Sequence, residues 1–169
     1  MRRLTGSGTT RDGRPDATIS KAGVTAQKLR YVDLLLTAPW SLAASASQIE
    51  ALGIPDTTRI PNPVSFLVQK LLIHPYRTPA KRAQDVLYVH DTLELFSGQF
   101  DTLHTLWYEE LKPTVPARTL TMLQESIPQQ FGVVTDVVRQ AARIPQDRLL
   151  TPDRIRRTCL EGMQQLLNR

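Results

Sequence analysis

Apolar residues recur at helical spacing through the second part of the chain. Between residues 64 and 72 they stand at 64, 67, 68, 71 and 72, one stripe of an amphipathic helix. Pro63 stands where a helix favours proline, and Pro75 ends the pattern. Later stripes predict helices over about 79–97, 99–111, 116–127 and 133–144, and Thr151 before Pro152 is typical of the start of a last helix to about 168.

The first part of the chain carries a different pattern. Leu29 to Leu36 is rich in branched and apolar residues, which predicts a strand, and Ala17 to Lys21 could pair with it after a turn at Ala22-Gly23. Residues 41–52 are alanine-rich and predict a helix that ends at Gly53. Three prolines within residues 54–63 then predict a connector without regular structure.

These elements indicate an α+β fold that is predominantly helical. A short β hairpin or sheet remnant at about 17–37 precedes a multi-helix bundle. We divide the chain into a flexible arm (1–16), a partial sheet region with its connector (17–60) and a helical domain (61–169). Two strands do not form a stable sheet alone. We therefore expect that the chain lacks the first strands of its fold.

Composition narrows the class of protein. Hydrophobic residues make up 41% of the 169, enough for an ordinary core, and no apolar run approaches the length of a membrane span. The chain has one cysteine, Cys159, so no disulfide can form within it, which favours a cytoplasmic protein. Cys159 lies in a helical pattern, and we expect it to be a core residue. A formal net charge of +5 favours polyanionic partners, although scattered arginines are usually only a solvated surface.

An acidic residue within the apolar run, Asp33, is the first candidate for chemistry. A carboxylate in an apolar strand is costly unless it is paired, hydrogen-bonded or bound to a metal. In a strand it would share a face with Tyr31 and Leu35. The sequence leaves two interpretations open: an exposed strand position or a carboxylate directed at a site.

Basic residues surround the turn between the first two helices of the helical domain. Lys70 lies within an apolar helix, and Arg77, Lys81 and Arg82 follow at the turn and at the start of the next helix. Lys81 and Asp85 are four apart, so we expect them to meet on one helix face. Antiparallel helices would bring Lys70, Arg77, Lys81 and Asp85 together, either as a site or as a surface ion-pair network of small energetic value.

The order of these residues resembles a known family. The segment Pro-x-Pro-x-x-Phe-x-x-x-Lys-Leu, followed by Arg and by Lys-Arg-x-x-Asp, is similar to the part that follows the catalytic sheet in nucleotidyltransferase-fold proteins of the DNA polymerase β superfamily, in its minimal and abortive-infection (toxin-type) bacterial branches. The matching residues here are Pro61, Pro63, Phe66, Lys70, Leu71, Arg77, Lys81, Arg82 and Asp85. The resemblance covers roughly residues 17–96, the C-terminal part of such a fold, and none is found for 97–169.

The resemblance implies roles for these residues. Asp33 would be the third metal-binding carboxylate, and Lys70, Arg77, Lys81, Arg82 and Asp85 would contact phosphate or hold the helical layer. The family also needs a Gly-Ser helix start and an Asp-x-Asp pair that holds two Mg²⁺ ions. Gly6-Ser7 is present, but the sequence contains no Asp-x-Asp, since Asp12 and Asp16 stand four apart in a Gly/Pro-rich stretch.

Three functions follow as hypotheses. The first is a partial nucleotidyltransferase that is inactive alone and, when completed by the missing strands or by a partner chain or second copy, would transfer a nucleotidyl group from a nucleoside triphosphate to RNA, protein or a small acceptor. The second is a helical module that binds nucleic acid or a protein without turnover. The third is that Lys70 and Asp85 pair inside a helical bundle and have a purely structural role. The histidines at 74, 90 and 104 lack the spacing of zinc ligands.

Overall fold

The computed structural model of the protein describes residues 19–21 and 24–26 by their backbone, and residues 30–43, 45, 49, 51, 53 and 57–167 in full. The predicted fold class is confirmed: two small antiparallel sheets precede a set of packed helices. The arm at 1–16, with Gly6, Ser7, Asp12 and Asp16, lies outside the described residues.

The predicted hairpin is present, but its second strand is not where the sequence pattern placed it. Strand β1 (Ile19–Lys21) pairs with β2 (Val24–Ala26), with Lys21 opposite Val24. The predicted strand at Leu29 to Leu36 is wrong, because Val32–Leu35 forms the short helix α1. A short, mostly apolar run of this length fits either a buried strand or a helical turn, and packing against the later helices decides between them.

Residues 40–60 also differ from the pattern. Trp40–Ala43 is strand β3 rather than the start of a helix, and it pairs with strand β4 (Thr57–Ile60), inside the segment that the prolines had marked as irregular. Ile49 and Ala51 are helical, and Gly53 has a φ of 60°, the left-handed conformation expected where a helix stops. Trp40 lies edge-on against Phe96, with 5.8 Å between ring centroids, and this contact connects the β3–β4 pair to the helices.

The two helices that carry the basic residues form where the sequence predicts them. Helix α2 (Pro63–Ile73) has proline at its first position and Asn62 as its N-cap. A 3₁₀ turn (His74–Tyr76) leads to helix α3 (Pro79–Leu95), which ends just before a second 3₁₀ turn, Ser97–Gln99.

The remaining helices cover both long helices. Helix α4 (Phe100–Thr105) continues into a π-helical segment, Leu106–Leu111. Helix α5 (Ala117–Phe131) runs past Pro128, longer than predicted, and helix α6 (Asp136–Ala142) is shorter. Helix α7 (Pro152–Leu167) opens at Thr151, whose hydroxyl accepts a hydrogen bond from the Arg154 amide, as the sequence predicts.

Helix α3 lies at the centre of the core. Its buried residues face helices α6 and α7, while α2 packs on α1 and α5. Trp107, Phe131 and Met163 are among the largest fully buried side chains, and Cys159 is buried within the same cluster, as expected for a core cysteine. No helix among the described residues is both long and apolar enough to cross a membrane.

Candidate functional site

A buried carboxylate joins helices α2 and α3. Asp85 accepts a hydrogen bond from the Lys70 ammonium at 2.7 Å on one oxygen and from Arg77 Nε at 3.1 Å on the other. The side chains of Lys70 and Asp85 are only 11% and 6% exposed, whereas Arg77 is 38% exposed. A carboxylate this deep is stable only because both oxygens are paired with cations.

Two aromatic rings enclose the ammonium of Lys70. Its Nζ lies 5.2 Å from the centre of the Phe66 ring and 5.4 Å from that of Tyr88. Rings at this distance attract a cation through their quadrupole and exclude water from it. Lys70 is therefore held by Asp85 and two rings, an arrangement that orients the helix pair and leaves Arg77 as the member of the trio most open to solvent.

The expected contact between Lys81 and Asp85 is wrong. Lys81 is exposed and donates a hydrogen bond to Gln84 Oε1 at 3.2 Å, because Asp85 turns inward to the cations of the preceding helix and turn. Spacing on helix α3 predicted the pair, but helix α2 and the turn provided closer partners for the carboxylate.

Arg82 holds the turn between the helices together. Its guanidinium donates to the carbonyl oxygens of His74 at 3.1 Å and Pro75 at 2.9 Å, in the turn that follows the end of α2. Burial, together with the nearby charge of Arg82, lowers the pKa of His74, while Asp85 opposes the shift. The neutral imidazole is therefore the favoured form in the folded protein.

Asp33 belongs to no cluster of three or more potential metal ligands among the described residues. It is exposed in the first turn of α1, and no cation among the described residues pairs with its carboxylate. Helix α1 packs on α2, so Asp33 belongs to the same part of the molecule as the Lys70–Asp85 pair, but no hydrogen bond or ion pair joins them. As the strand is absent, Asp33 does not share a strand face with Tyr31 and Leu35.

The described residues do not fit a pair of Mg²⁺ ions. Two such ions need several oxygen ligands from carboxylates held close together. In the described part of the chain, no group of three or more histidine, cysteine, aspartate or glutamate side chains is close enough to hold a metal ion. Asp33 could supply one ligand and no more.

Asn62 was missed by the sequence analysis, and it connects the sheet region to the helices. Its fully buried amide donates hydrogen bonds at 3.0 Å to the carbonyl oxygens of Thr37 and Ala38, and its Oδ1 accepts one from the Ser65 amide at 2.8 Å. Asparagine between two prolines, just before an apolar stripe, is an N-cap signal. Nothing in the pattern indicated the contacts 24 and 25 residues away.

A second polar cluster lies at the other end of α3. His90, which is buried, contacts Asp91 through Nδ1 at 2.9 Å, and Arg148 pairs with the second oxygen of Asp91 at 2.5 Å. Arg154 pairs with Glu94 at 3.1 Å, and Thr158 donates to that same carboxylate. These contacts join the segment from Arg148 to Thr158 to the surface of α3.

Comparison with known proteins adds to this geometry. A family model described as Nucleotidyltransferase matches residues 2–112, which is more than half of the chain and continues past the region in which the motif resemblance was found. No curated protein and no solved structure matches the chain. The matched range contains Asp33, the Lys70–Asp85–Arg77 trio and the turn held by Arg82. This chain belongs to the nucleotidyltransferase family.

Proposed function

We propose that this chain provides the helical layer and one carboxylate of a nucleotidyltransferase, and that it does not transfer nucleotides by itself. Family membership supports the reaction class: nucleotidyl transfer from a nucleoside triphosphate to RNA, protein or a small acceptor. A branch of the DNA polymerase β superfamily with minimal or toxin–antitoxin-type members fits the motif order. Catalysis would need an Asp-x-Asp pair from a partner chain, because this sequence contains none.

One observation carries the proposal. Among the described residues, Asp33, which the family resemblance assigns to metal binding, is exposed and belongs to no group of three or more possible metal ligands, whereas the Lys70–Asp85–Arg77 trio is assembled. A pair of Mg²⁺ ions binds weakly to one carboxylate, because the desolvation of each ion must be offset by several charged oxygens. This contrast supports an assembled helical layer without a metal-binding group among the described residues.

Incubation of the purified chain with Mg²⁺, each radiolabelled nucleoside triphosphate and total RNA tests the proposal. We expect no transfer of label to RNA or to the protein. Asp33→Asn is compared with Asp136→Asn, which removes the same charge from an exposed position on α6. Labelling by the chain alone that is abolished by Asp33→Asn and retained by Asp136→Asn would refute the proposal.

The second candidate is a non-catalytic helical module that binds nucleic acid or a protein partner. The net charge of +5 and the exposed cations near the turn between α2 and α3 favour it. Binding to RNA or DNA that weakens as salt rises, without any transfer of label, is the result that this candidate predicts.

A further inference from the structure

Positive charge is concentrated around the turn between α2 and α3. From residue 57 to residue 84 the sequence has five basic residues and no Asp or Glu: Arg59, Lys70, Arg77, Lys81 and Arg82. Asp85 is the next acid, and it is buried against Lys70 and Arg77. This short region therefore accounts for much of the net charge of +5 of the whole chain.

An arginine stacked on a tyrosine lies at the same turn. The Arg30 guanidinium carbon is 4.2 Å from the centre of the Tyr76 ring, within the range of a cation–π contact. Tyr76 is still 51% exposed. Burial is the main cause that raises the pKa of Tyr31, the interaction with the nearby Tyr76 hydroxyl adds to it, and Arg30 opposes it, so Tyr31 lies beside the same stacked pair.

Arg77, next to Tyr76, is oriented in advance for an anion. Its Nε is used by Asp85, and among the described residues its side chain has no other hydrogen-bond partner. The two terminal nitrogens of the guanidinium fork remain for a ligand. A planar fork whose orientation is already fixed loses little conformational entropy when it binds a phosphate group.

We propose that Arg30, Tyr76, Arg77 and Lys81 form a binding site for single-stranded nucleic acid. Exposed aromatic rings with stacked guanidinium groups accept unpaired bases, and neighbouring cations follow the phosphates. A duplex keeps its bases stacked inside and would leave the exposed part of the Tyr76 ring without a base to stack on it. The proposal does not rest on the catalytic proposal, since none of these four residues is needed to hold a metal.

Fluorescence anisotropy with a fluorescein-labelled 12-nucleotide oligouridylate tests the site. The whole chain is titrated in EDTA at 50 and 200 mM KCl, conditions under which Mg²⁺-dependent transfer cannot contribute. We expect Tyr76→Ala to weaken binding about tenfold with little change in salt dependence, because it removes base stacking. Lys81→Gln and Arg30→Gln should each reduce the slope of log affinity against log salt by about 0.7, the contribution of one phosphate contact.

The matched control is Arg118→Gln. Arg118 is exposed near the start of α5, while Gln130, near the other end of that helix, donates to the Leu71 carbonyl close to the turn. Twelve residues of helix place Arg118 about 18 Å from there along the axis. Its substitution should leave affinity unchanged, and thermal melts identify any variant that fails to fold.

Three outcomes would overturn the proposal. They are no binding at 50 mM KCl, binding by the Tyr76, Lys81 and Arg30 variants equal to that of the unsubstituted chain, or displacement of the oligonucleotide by ATP at an equal concentration of phosphate. The last result would identify a mononucleotide site instead. Failure of this test leaves the transfer assay unaffected, because that assay depends on Asp33 and Mg²⁺.

Discussion

Asn62 shows how one side chain can join two parts of the fold. Its amide group has no unsatisfied atom, because Nδ2 donates to two carbonyl oxygens of the loop after α1 and Oδ1 caps α2. One of those carbonyls belongs to Ala38, whose φ of 45° is uncommon for a residue with a side chain. The hydrogen bonds of Asn62 help to hold that conformation.

Replacement of Asn62 by alanine should lower the free energy of unfolding by about 2–3 kcal/mol. It removes an N-cap and leaves two partly buried carbonyl oxygens without a donor. Urea denaturation gives the value, with Asn168→Ala as a control for the loss of an amide side chain near the end of the chain. A change below about 0.5 kcal/mol would contradict the role given to Asn62.

The helices α2 and α3 are joined by charge as well as by apolar packing. Lys70 and Asp85 are largely buried, so each stabilises the fold only while the other is present. The trio therefore fixes the register of the two helices. The energetic test asks whether Lys70 and Asp85 stabilise the fold as a coupled pair or as two independent side chains.

Asp85→Leu alone should destabilise the protein by about 3–5 kcal/mol, because it leaves the Lys70 ammonium buried without a partner. Lys70→Met combined with Asp85→Leu should recover most of that loss, since apolar residues of similar volume replace the pair. Chemical denaturation of both single variants and the double variant measures the coupling. Additive losses would show that the two side chains act independently.

The family match ends at residue 112, but the core does not. Helices α6 and α7 cover the buried face of α3, and Arg148 and Arg154 pair with Asp91 and Glu94 on that helix. These surface ion pairs contribute little energy, so most of the attachment comes from buried side chains such as Ile155 and Met163.

A fragment of residues 1–112 should not fold on its own. Without α5, α6 and α7, the apolar faces of α2 and α3 would be exposed to water over an area that a small domain cannot tolerate. Circular dichroism and thermal denaturation of the fragment, beside the full chain, measure this. A cooperative melt of the fragment would show that 1–112 is an independent domain.

The amino-acid pattern by itself determined the helices from residue 63 onward, the first strand of the hairpin near residue 20, the core position of Cys159 and the residues of the family motif. Those features depend on local spacing: a 3.6-residue stripe, a proline at a helix start, an order of motif residues. Tertiary structure decided that Val32–Leu35 is a helix, that Thr57–Ile60 is a strand, and that Asp85 pairs with Lys70 and Arg77 instead of Lys81. Short apolar runs and competing ion pairs have nearly equal local energies, and contacts distant in sequence select among them.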